Sequence, residues 1–283
     1  MVNHEKQYKN FLIYMMREIM RRKALVRKNN VQVLMKRFSE IIESSGEINE
    51  AIEMLKNCTG LEYNEYIDES KGNDMKNGVL FKGARKGVFA KGEKIVLKHI
   101  EDNEYGAYEE VLYENSIMKN AFEEPEFMQF LWRDLRCEQS LYLSVYDEDE
   151  FCGYCGIKDT GTRTPEIAVE LLKRCHGRGV AYKALLALMK EYAQAVEIDY
   201  FLSRVDAENR ASISLMKKLG GTPFGLSNLL ITCEEEKARL EKEYVHLINE
   251  NVRALASEWQ VEPQKLISHA LVFRFDLNEL KSV

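Results

Sequence analysis

One stretch of the chain constrains the fold more than any other: PEIAVELLKRCHGRGVAYKALLALMKEYAQ, at residues 165–194. It starts as a short apolar run typical of a buried strand, passes through two glycines separated by one residue, and continues with apolar residues at helical spacing. A strand that leads through a glycine turn into a helix indicates an α/β domain. Because the first N–H groups of a helix lack intrahelical partners, the turn also predicts a site for an anion.

Two nucleotide-binding motifs use such a turn, and neither is present in full. No G-x-x-x-x-G-K-[ST] string is present, which excludes a Walker P-loop. In the G-x-G-x-x-G motif, Gly177 and Gly179 are present, but Tyr182 occupies the position of the third glycine. Asp206, at the end of the next predicted strand, could bind a ribose, so a dinucleotide site stays open as the weaker alternative.

The patterns on either side of this stretch mix strands with helices. Helical patterns fill residues 103–135 and 209–221, and the second of these is closed by Gly220. Strands are predicted at 94–100, 140–147, 150–158, 199–206 and 268–277. The chain is therefore expected to hold one α/β unit with strands and helices interleaved.

The order of the patterns predicts the domain organisation. Residues 1–70 show helical spacing and predict a small helical N-terminal domain, 71–92 are rich in glycine and lysine and predict a linker, and 93–283 carry the α/β unit. An extra helix is expected at about 233–258. Its start is indicated by Thr232 and Glu235, which have the spacing of a capping box.

Composition narrows the functional classes. The formal net charge of −6 argues against nucleic acid as a partner, since a phosphate backbone needs a basic face. The apolar run FLIYMM at residues 11–16 is too short to cross a membrane. Six cysteines in 283 residues do not make a disulfide scaffold, so a cytoplasmic protein is predicted. The oligomeric state stays open, a homodimer included.

The string CGYC at residues 152–155 looks like a redox or metal-binding pair. However, Cys152 and Cys155 lie within a strand pattern, where residues three apart face opposite sides. A helix N-terminus that would activate one thiol does not follow, and further ligands at close spacing are missing. No metal site is therefore expected.

Two coupled motifs give the chain a resemblance to the GNAT superfamily of acetyl-CoA-dependent N-acetyltransferases. The R/Q-x-x-G-x-G/A pattern is met by Arg174, Gly177 and Gly179, and the downstream N-x-x-[SA] pattern by Asn209 and Ser212, followed by Lys-Leu-Gly at 218–220. The resemblance extends from about 93 to 275 and is strongest to the ribosomal-protein-type N-acetyltransferases. It implies a mixed, mostly antiparallel sheet flanked by helices.

The resemblance also implies a site for acetyl-CoA as co-substrate, without a metal. In this family the pyrophosphate lies on the amides of the glycine turn and the pantetheine arm runs along the preceding strand, while the helix that begins at the N-x-x-[SA] motif flanks the other side. The positions that correspond in this chain are Leu171, Leu172, Arg174, His176, Gly177, Arg178, Gly179, Val180, Ala181 and Asn209.

The implied reaction is acetyl transfer to a primary amine, either a protein N-terminus or a small molecule, with help from a general base. Glu166 and Glu170 lie on one face of the predicted strand, about 13 Å apart along it. Glu166 is predicted as the base because relatives carry a Glu there, with Glu170 as the alternative and a purely structural role for both left open. Ser212 is a nearby hydroxyl and the candidate for the general acid.

One position departs from the family pattern. Met216 occupies the place where many relatives carry a tyrosine that protonates the leaving thiolate, and methionine has no proton to donate. This leaves open a second function, a non-catalytic acyl-CoA-binding sensor or interaction protein on the same fold. The acceptor amine is not readable from the sequence.

Overall fold

The computed structural model describes residues 53–54, 57–58, 85–116, 119–123, 125–229 and 231–280. The predicted N-terminal helical domain therefore lies almost wholly outside the described residues. The chain divides into two compact units. The first contains 1–71, 204–210 and 223–272, and the second contains 72–203, 211–222 and 273–283. The predicted single α/β domain at 93–283 is thus shared between the two units.

The strands form an eight-stranded sheet with the order β1-β2-β3-β4-β5-β6-β8-β7. Neighbours from β1 to β5 are antiparallel, whereas β5 and β6 are parallel, which confirms the mixed, mostly antiparallel sheet. The strands are β1 Val88–Lys91, β2 Ile95–His99, β3 Leu141–Asp147, β4 Glu150–Lys158, β5 Glu166–Leu171, β6 Tyr200–Val205, β7 Thr222–Asn228 and β8 His269–Asp276.

The helices follow the predicted order with some changes in their bounds. They are α1 Tyr105–Asn115, α2 Pro125–Leu135, α3 Val180–Ala195, α4 Arg210–Lys218, α5 Glu234–Glu243, α6 Glu250–Trp259, α7 Lys265–Ser268 and α8 Leu277–Leu280. Short 3-10 turns lie at Asp102–Glu104, Lys119–Glu123, Lys173–Cys175 and Val245–Leu247. None of the helices in the described ranges is long and apolar enough to cross a membrane.

Helix α3 covers one face of the sheet in the second unit, where it packs on β2, β4 and β5. Its apolar residues recur at helical spacing, and Leu185, Leu188 and Met189 are completely buried. Each such side chain contributes about 1.5–3 kcal/mol when it leaves water. This packing fixes the start of α3, and with it the glycine turn that precedes the helix.

The other face of the same strands carries an aromatic cluster. Tyr154 on β4 stacks on Tyr108 of α1 with ring centroids 5.4 Å apart, and Tyr142 of β3 meets Tyr154 edge-on at 5.6 Å. Trp132 of α2 contacts Tyr108 edge-on at 5.4 Å. Offset-stacked and edge-on ring pairs add to the stabilisation from burial alone.

The extra helix predicted at 233–258 is two helices, α5 and α6. They are separated at Asn249, whose side chain accepts a hydrogen bond from Val252 N at 3.1 Å and so caps α6. The predicted capping box is wrong, because the N-cap of α5 is Cys233 and no side chain caps it. The hydroxyl of Thr232 donates to the carbonyl of Cys58 instead, at 3.2 Å.

Two further differences concern strands. Strand β1 lies inside the predicted linker, and its partner is β2. Strand β7 was not predicted because its sequence, TPFGLSN, contains a proline and a glycine and most of it is exposed. Such a composition is tolerated at the edge of a sheet, where β7 lies in the strand order.

Candidate functional site

The glycine turn joins β5 to α3 as the sequence predicts. After Leu172 a 3-10 turn leads through His176 to Gly177 and Gly179, which have φ values of 74° and 78°. This left-handed conformation suits glycine, and a Cβ at either position would meet no atom within 4 Å. Gly179 is the N-cap of α3 without a side-chain cap. The start of this 16-residue helix is therefore an exposed, positively polarised cradle for an anion.

Helix α1 holds the turn from one side. Asn115 Nδ2 donates to the carbonyl of Leu171 at 3.1 Å, and the side chain of Glu114 accepts from Lys173 N at 2.8 Å. The Nε2 atom of His176, a predicted phosphate contact, lies 3.1 Å from the same Leu171 carbonyl. The backbone at the end of β5 is thus fixed by three hydrogen bonds before any ligand binds.

The two arginines of the turn make ion pairs with carboxylates. Arg178 lies 2.7 Å from Glu150 and 2.8 Å from Asp147, and Arg174 lies 3.0 Å from Glu110 and 3.3 Å from Glu150. The hydrogen bond from Arg178 lowers the pKa of the Glu150 carboxyl. The backbone amides, rather than these guanidinium groups, are therefore the donors that the turn presents to an anion.

Strand β5 pairs with β6 at its start, but the pairing does not continue along the strand. Along the described residues, its register with β6 contains the single pair Glu166↔Leu202, whereas its register with β4 extends from Glu166 to Leu171. The later part of β5 therefore has a backbone edge that lies beyond its pairing with β6. Leu171 and Leu172, the predicted pantetheine contacts, lie at the end of this edge and are buried.

The two predicted catalytic carboxylates share one face of β5 but have different surroundings. Glu166 is 6% exposed and lies opposite Lys158, with its carboxylate 3.6 Å from the ammonium. Glu170 is half-buried, lies opposite Tyr154 and shares a hydrogen bond with that hydroxyl. Burial, with Glu170 nearby, raises the pKa of Tyr154 well above its usual value.

Glu170 thus belongs to the tyrosine-lined face of the sheet. The hydroxyl of Tyr108 lies 2.9 Å from Ser144 Oγ, and burial raises the pKa of both Tyr108 and Tyr142. These hydroxyls stay neutral at ordinary pH and can donate or accept hydrogen bonds beside the carboxylate. The sequence could not place them together, because strand pairing and α1 bring them from three separate elements.

The N-x-x-[SA] motif, Asn209 and Ser212, is divided between the two units. Ser212 on α4 is half-buried, and Met216 on the same helix is 3% exposed, among the apolar residues of the second unit. Asn209 belongs to the first unit, where its N–H donates to the carbonyl of Asp206 at 2.9 Å. The side chain of Asp206, the candidate ribose ligand, accepts from Glu208 N at 2.7 Å and so closes a local turn.

The CGYC string is not a paired motif in the structure. Cys152 and Cys155 lie on β4 three residues apart, and burial raises the pKa of the Cys155 thiol far above its usual range. Cys152 lies instead beside Cys175 of the glycine turn and Glu150, with the three candidate ligand atoms within 4.8 Å of one another. The spacing of the cysteines in the sequence contains no signal for this grouping.

Comparison with known proteins gives one family match. Residues 94–222 match the family model described as an acetyltransferase (GNAT) domain. No curated protein matches the sequence.

Solved structures similar to this chain include RimL, a ribosomal L7/L12 alpha-N-protein acetyltransferase, at 14% identity and a TM-score of 0.45, covering 67% of this chain and 98% of that chain. RimJ of Mycobacterium smegmatis in complex with CoA-disulfide has 14% identity and a TM-score of 0.45, with 66% and 83% covered. A spermidine N-acetyltransferase SpeG chimera from Vibrio cholerae has 10% identity and a TM-score of 0.46, with 68% and 100% covered.

Proposed function

We propose that the protein transfers an acetyl group from acetyl-CoA to a primary amine, because residues 94–222 match the family model of an acetyltransferase (GNAT) domain. The observation that carries the proposal is the turn between β5 and α3, where two left-handed glycines open the N-terminus of a long helix. A pyrophosphate fits this turn because the turn offers backbone N–H donors and a favourable helix dipole, and no Cβ atoms stand in the way.

The cofactor-binding residues keep the roles that the resemblance assigns to them, with one change. The amides of 177–181 hold the pyrophosphate, and the edge of β5 at Leu171 and Leu172 pairs with the pantetheine arm. The side chains of Arg174 and Arg178 act as struts that tie the turn to neighbouring carboxylates. They contribute to the anion site through the shape of the turn more than through direct contacts.

The reaction moves the acetyl group from sulfur to nitrogen. The lone pair of a neutral amine forms a new C–N bond at the thioester carbonyl carbon, the C–S bond breaks, and the CoA thiolate leaves. The attacking nitrogen loses a proton to a base, and the thiolate takes up a proton. The chain therefore has to supply a proton acceptor near the thioester and a route for a proton to the sulfur.

Glu170 is the better placed of the two carboxylates for the base. It lies on the part of β5 that has separated from β6, within two residues of the predicted pantetheine contacts, and it is half-buried. Glu166 lies at the position where β5 pairs with β6 along the described residues, and its carboxylate already forms an ion pair with Lys158. We assign Glu170 as proton acceptor and Glu166 to holding Lys158, although the sequence alone favoured Glu166.

A non-catalytic acyl-CoA-binding protein is the second candidate, and one observation favours it. Met216 is buried and cannot protonate a thiolate, which leaves Ser212, one helical turn earlier on α4, as the candidate for the general acid. A protein that binds acetyl-CoA without efficient turnover would need no general acid. The two functions differ in whether thiol is released, so a kinetic assay separates them.

The test is thiol release from acetyl-CoA in the presence of a panel of amines. The panel contains a peptide with a free N-terminus, a polyamine, an amino acid and an aminoglycoside, and mass spectrometry identifies the acetylated product. Amine-dependent release with a matching product supports the transferase. Tight binding of acetyl-CoA without release, for every amine, would support the acyl-CoA-binding alternative. No binding of acetyl-CoA would contradict both.

A further inference from the structure

Two sulfur atoms lie against the sulfur of Cys58 in the first unit, far in sequence from the glycine turn. Cys58 Sγ lies 3.5 Å from Met54 Sδ, and Cys233 Sγ lies 3.7 Å from Cys58 Sγ. Cys58 is 5% exposed, Met54 and Cys233 are half-buried, and neither cysteine is in a disulfide. We call Met54, Cys58 and Cys233 the sulfur cluster. It is independent of the proposed acetyl-transfer site.

The backbone holds the sulfur cluster in place. Met54 and Cys58 are helical and one turn apart, so their side chains project from the same face. The carbonyl of Cys58 accepts hydrogen bonds from Thr232 N at 2.7 Å, from Thr232 Oγ1 at 3.2 Å and from Cys233 N at 3.3 Å. These bonds fix Cys233 against Cys58 without a covalent link, and such preorganisation is what a metal site requires.

The distances from Cys58 Sγ to the other two sulfurs suit a single ion. With metal–sulfur bonds of about 2.3 Å, three sulfurs around one ion lie roughly 4 Å apart. The two observed distances, 3.5 and 3.7 Å, need only a small outward adjustment to admit a cation. A disulfide would instead require the two cysteine sulfurs to approach to about 2 Å.

The type of donor decides which cation fits. Two thiols and a thioether are soft ligands, and this set selects Cu(I) over the harder divalent cations that prefer imidazole or carboxylate. We propose that the sulfur cluster is a binding site for a soft monovalent cation, Cu(I) by its chemistry. As the two thiolate–copper bonds form, both thiols give up their protons to solvent, so binding weakens as the pH falls.

A second pair of buried thiols provides the internal comparison. Cys152 and Cys175 are both buried, but their third neighbour is the carboxylate of Glu150, a hard oxygen ligand. The guanidinium of Arg178 lies 4.0 Å from Cys175 Sγ and repels a cation there. The two sites have the same number of cysteines, so a difference in copper binding reports the third ligand and the local charge.

The experiment is a competition for Cu(I) between the full-length reduced protein and bicinchoninate, which is coloured when it holds Cu(I). We expect the wild type and a Cys152→Ser/Cys175→Ser variant to remove one equivalent from the chelator. Cys58→Ser and Cys233→Ser should lose this ability, and Met54→Leu should bind about tenfold or more weakly, since it keeps both thiols and loses the thioether. X-ray absorption should find sulfur alone around the copper.

Three outcomes would overturn the proposal. The wild type leaves all copper on the chelator; the Cys58→Ser/Cys233→Ser variant binds copper as tightly as the wild type; or the Cys152→Ser/Cys175→Ser variant is the one that loses it. Far-ultraviolet circular dichroism of each variant identifies loss by misfolding. Should a serine variant fail to fold, Met54→Leu decides alone, and unchanged copper affinity in that variant contradicts the site.

Discussion

Gly156 on β4 has to be glycine for the aromatic face to form, because even the methyl group of an alanine would not fit. A Cβ there would clash with the ring of Tyr142 and would lie 2.8 Å from the carbonyl of Leu141. The absence of a side chain lets the tyrosine ring lie across β4 beside Tyr154. Sequence alone places a glycine in a strand, which suggests a close approach, but it does not identify the ring that approaches.

Gly156→Ala should therefore destabilise the protein, by about 1–3 kcal/mol, the usual cost of overpacking. Gly106→Ala is the matched control. Gly106 lies in α1, a Cβ there meets nothing within 4 Å, and alanine should be neutral or stabilising by roughly 0.5–1 kcal/mol. Chemical denaturation of both variants measures the difference. Equal stabilities would contradict the packing described for Tyr142.

The two carboxylates of β5 should respond differently to the same change. Glu170→Gln keeps the shape and removes the proton acceptor, so kcat for the best amine should fall by about 10²-fold while acetyl-CoA affinity stays nearly constant. Glu166→Gln should lower the melting temperature, because the ion pair with Lys158 is lost, and leave most of kcat. The reverse pattern would make Glu166 the base, as its sequence position predicts.

At the scale of elements, the β3–β4 hairpin and the glycine turn are joined by ion pairs. Sequence predicted both elements with nearly the observed bounds, since each has a clean strand or helix pattern. It could not predict that Glu150 of β4 faces Arg174 and Arg178, because that contact depends on the register of β4 against β5. Local sequence patterns thus predict the elements, whereas the ion pairs of the turn depend on strand pairing between residues far apart in the chain.

Glu150→Gln should weaken acetyl-CoA binding. It removes the carboxylate that pairs with both Arg174 and Arg178, so the turn loses part of the support that shapes it, at an effect of up to roughly fivefold in Kd. Glu148→Gln is the control, because it lies on the same hairpin but pairs with Lys94 at 2.9 Å. Isothermal calorimetry compares the two. Unchanged or tighter binding in Glu150→Gln would contradict the role of the two arginines in shaping the turn.

At the scale of the whole molecule, the fold of the sheet and the division into units differ in how well the sequence predicts them. The fold of the central sheet was predictable, because period-two and helical patterns alternate clearly from 94 to 221. The division into units was not. Segment 223–272 belongs to the first unit, with the described residues 53–54 and 57–58, although it follows the α/β pattern without a linker. Such grouping depends on contacts between residues far apart in the chain, for example between Cys58 and Thr232.

The free energy of unfolding is a property of the whole fold, and the pKa of one buried histidine makes it depend on pH. His99 is 5% exposed, and burial, with Arg85 nearby, lowers its pKa below 6.5. Below that pH the unfolded chain takes up a proton that the folded protein resists. The free energy of unfolding should therefore fall as the pH drops from about 7.5 to about 5.5, by at most roughly 1.4 kcal/mol per unit of pKa shift.

The comparison that isolates His99 is denaturation of the wild type and His99→Gln at both pH values. The glutamine variant should lose part of the pH dependence, while the remainder reports other groups such as His269, whose pKa burial also lowers. An identical pH dependence in the two proteins would mean that His99 titrates in the folded state as it does in the unfolded chain.

The measurement that tests the acetyl-CoA site most directly is the affinity of two glycine variants, by isothermal calorimetry on folded protein. Gly177 and Gly87 have φ values of 74° and 72°, and a Cβ at either meets no atom within 4 Å. Gly177→Asp and Gly87→Asp therefore introduce the same strain and the same charge, at the cradle and before β1 respectively. Gly177→Asp should weaken acetyl-CoA binding by about tenfold or more, or 1.4 kcal/mol, while Gly87→Asp retains wild-type affinity. Equal affinities in the two variants would contradict the assignment of the turn as the pyrophosphate site.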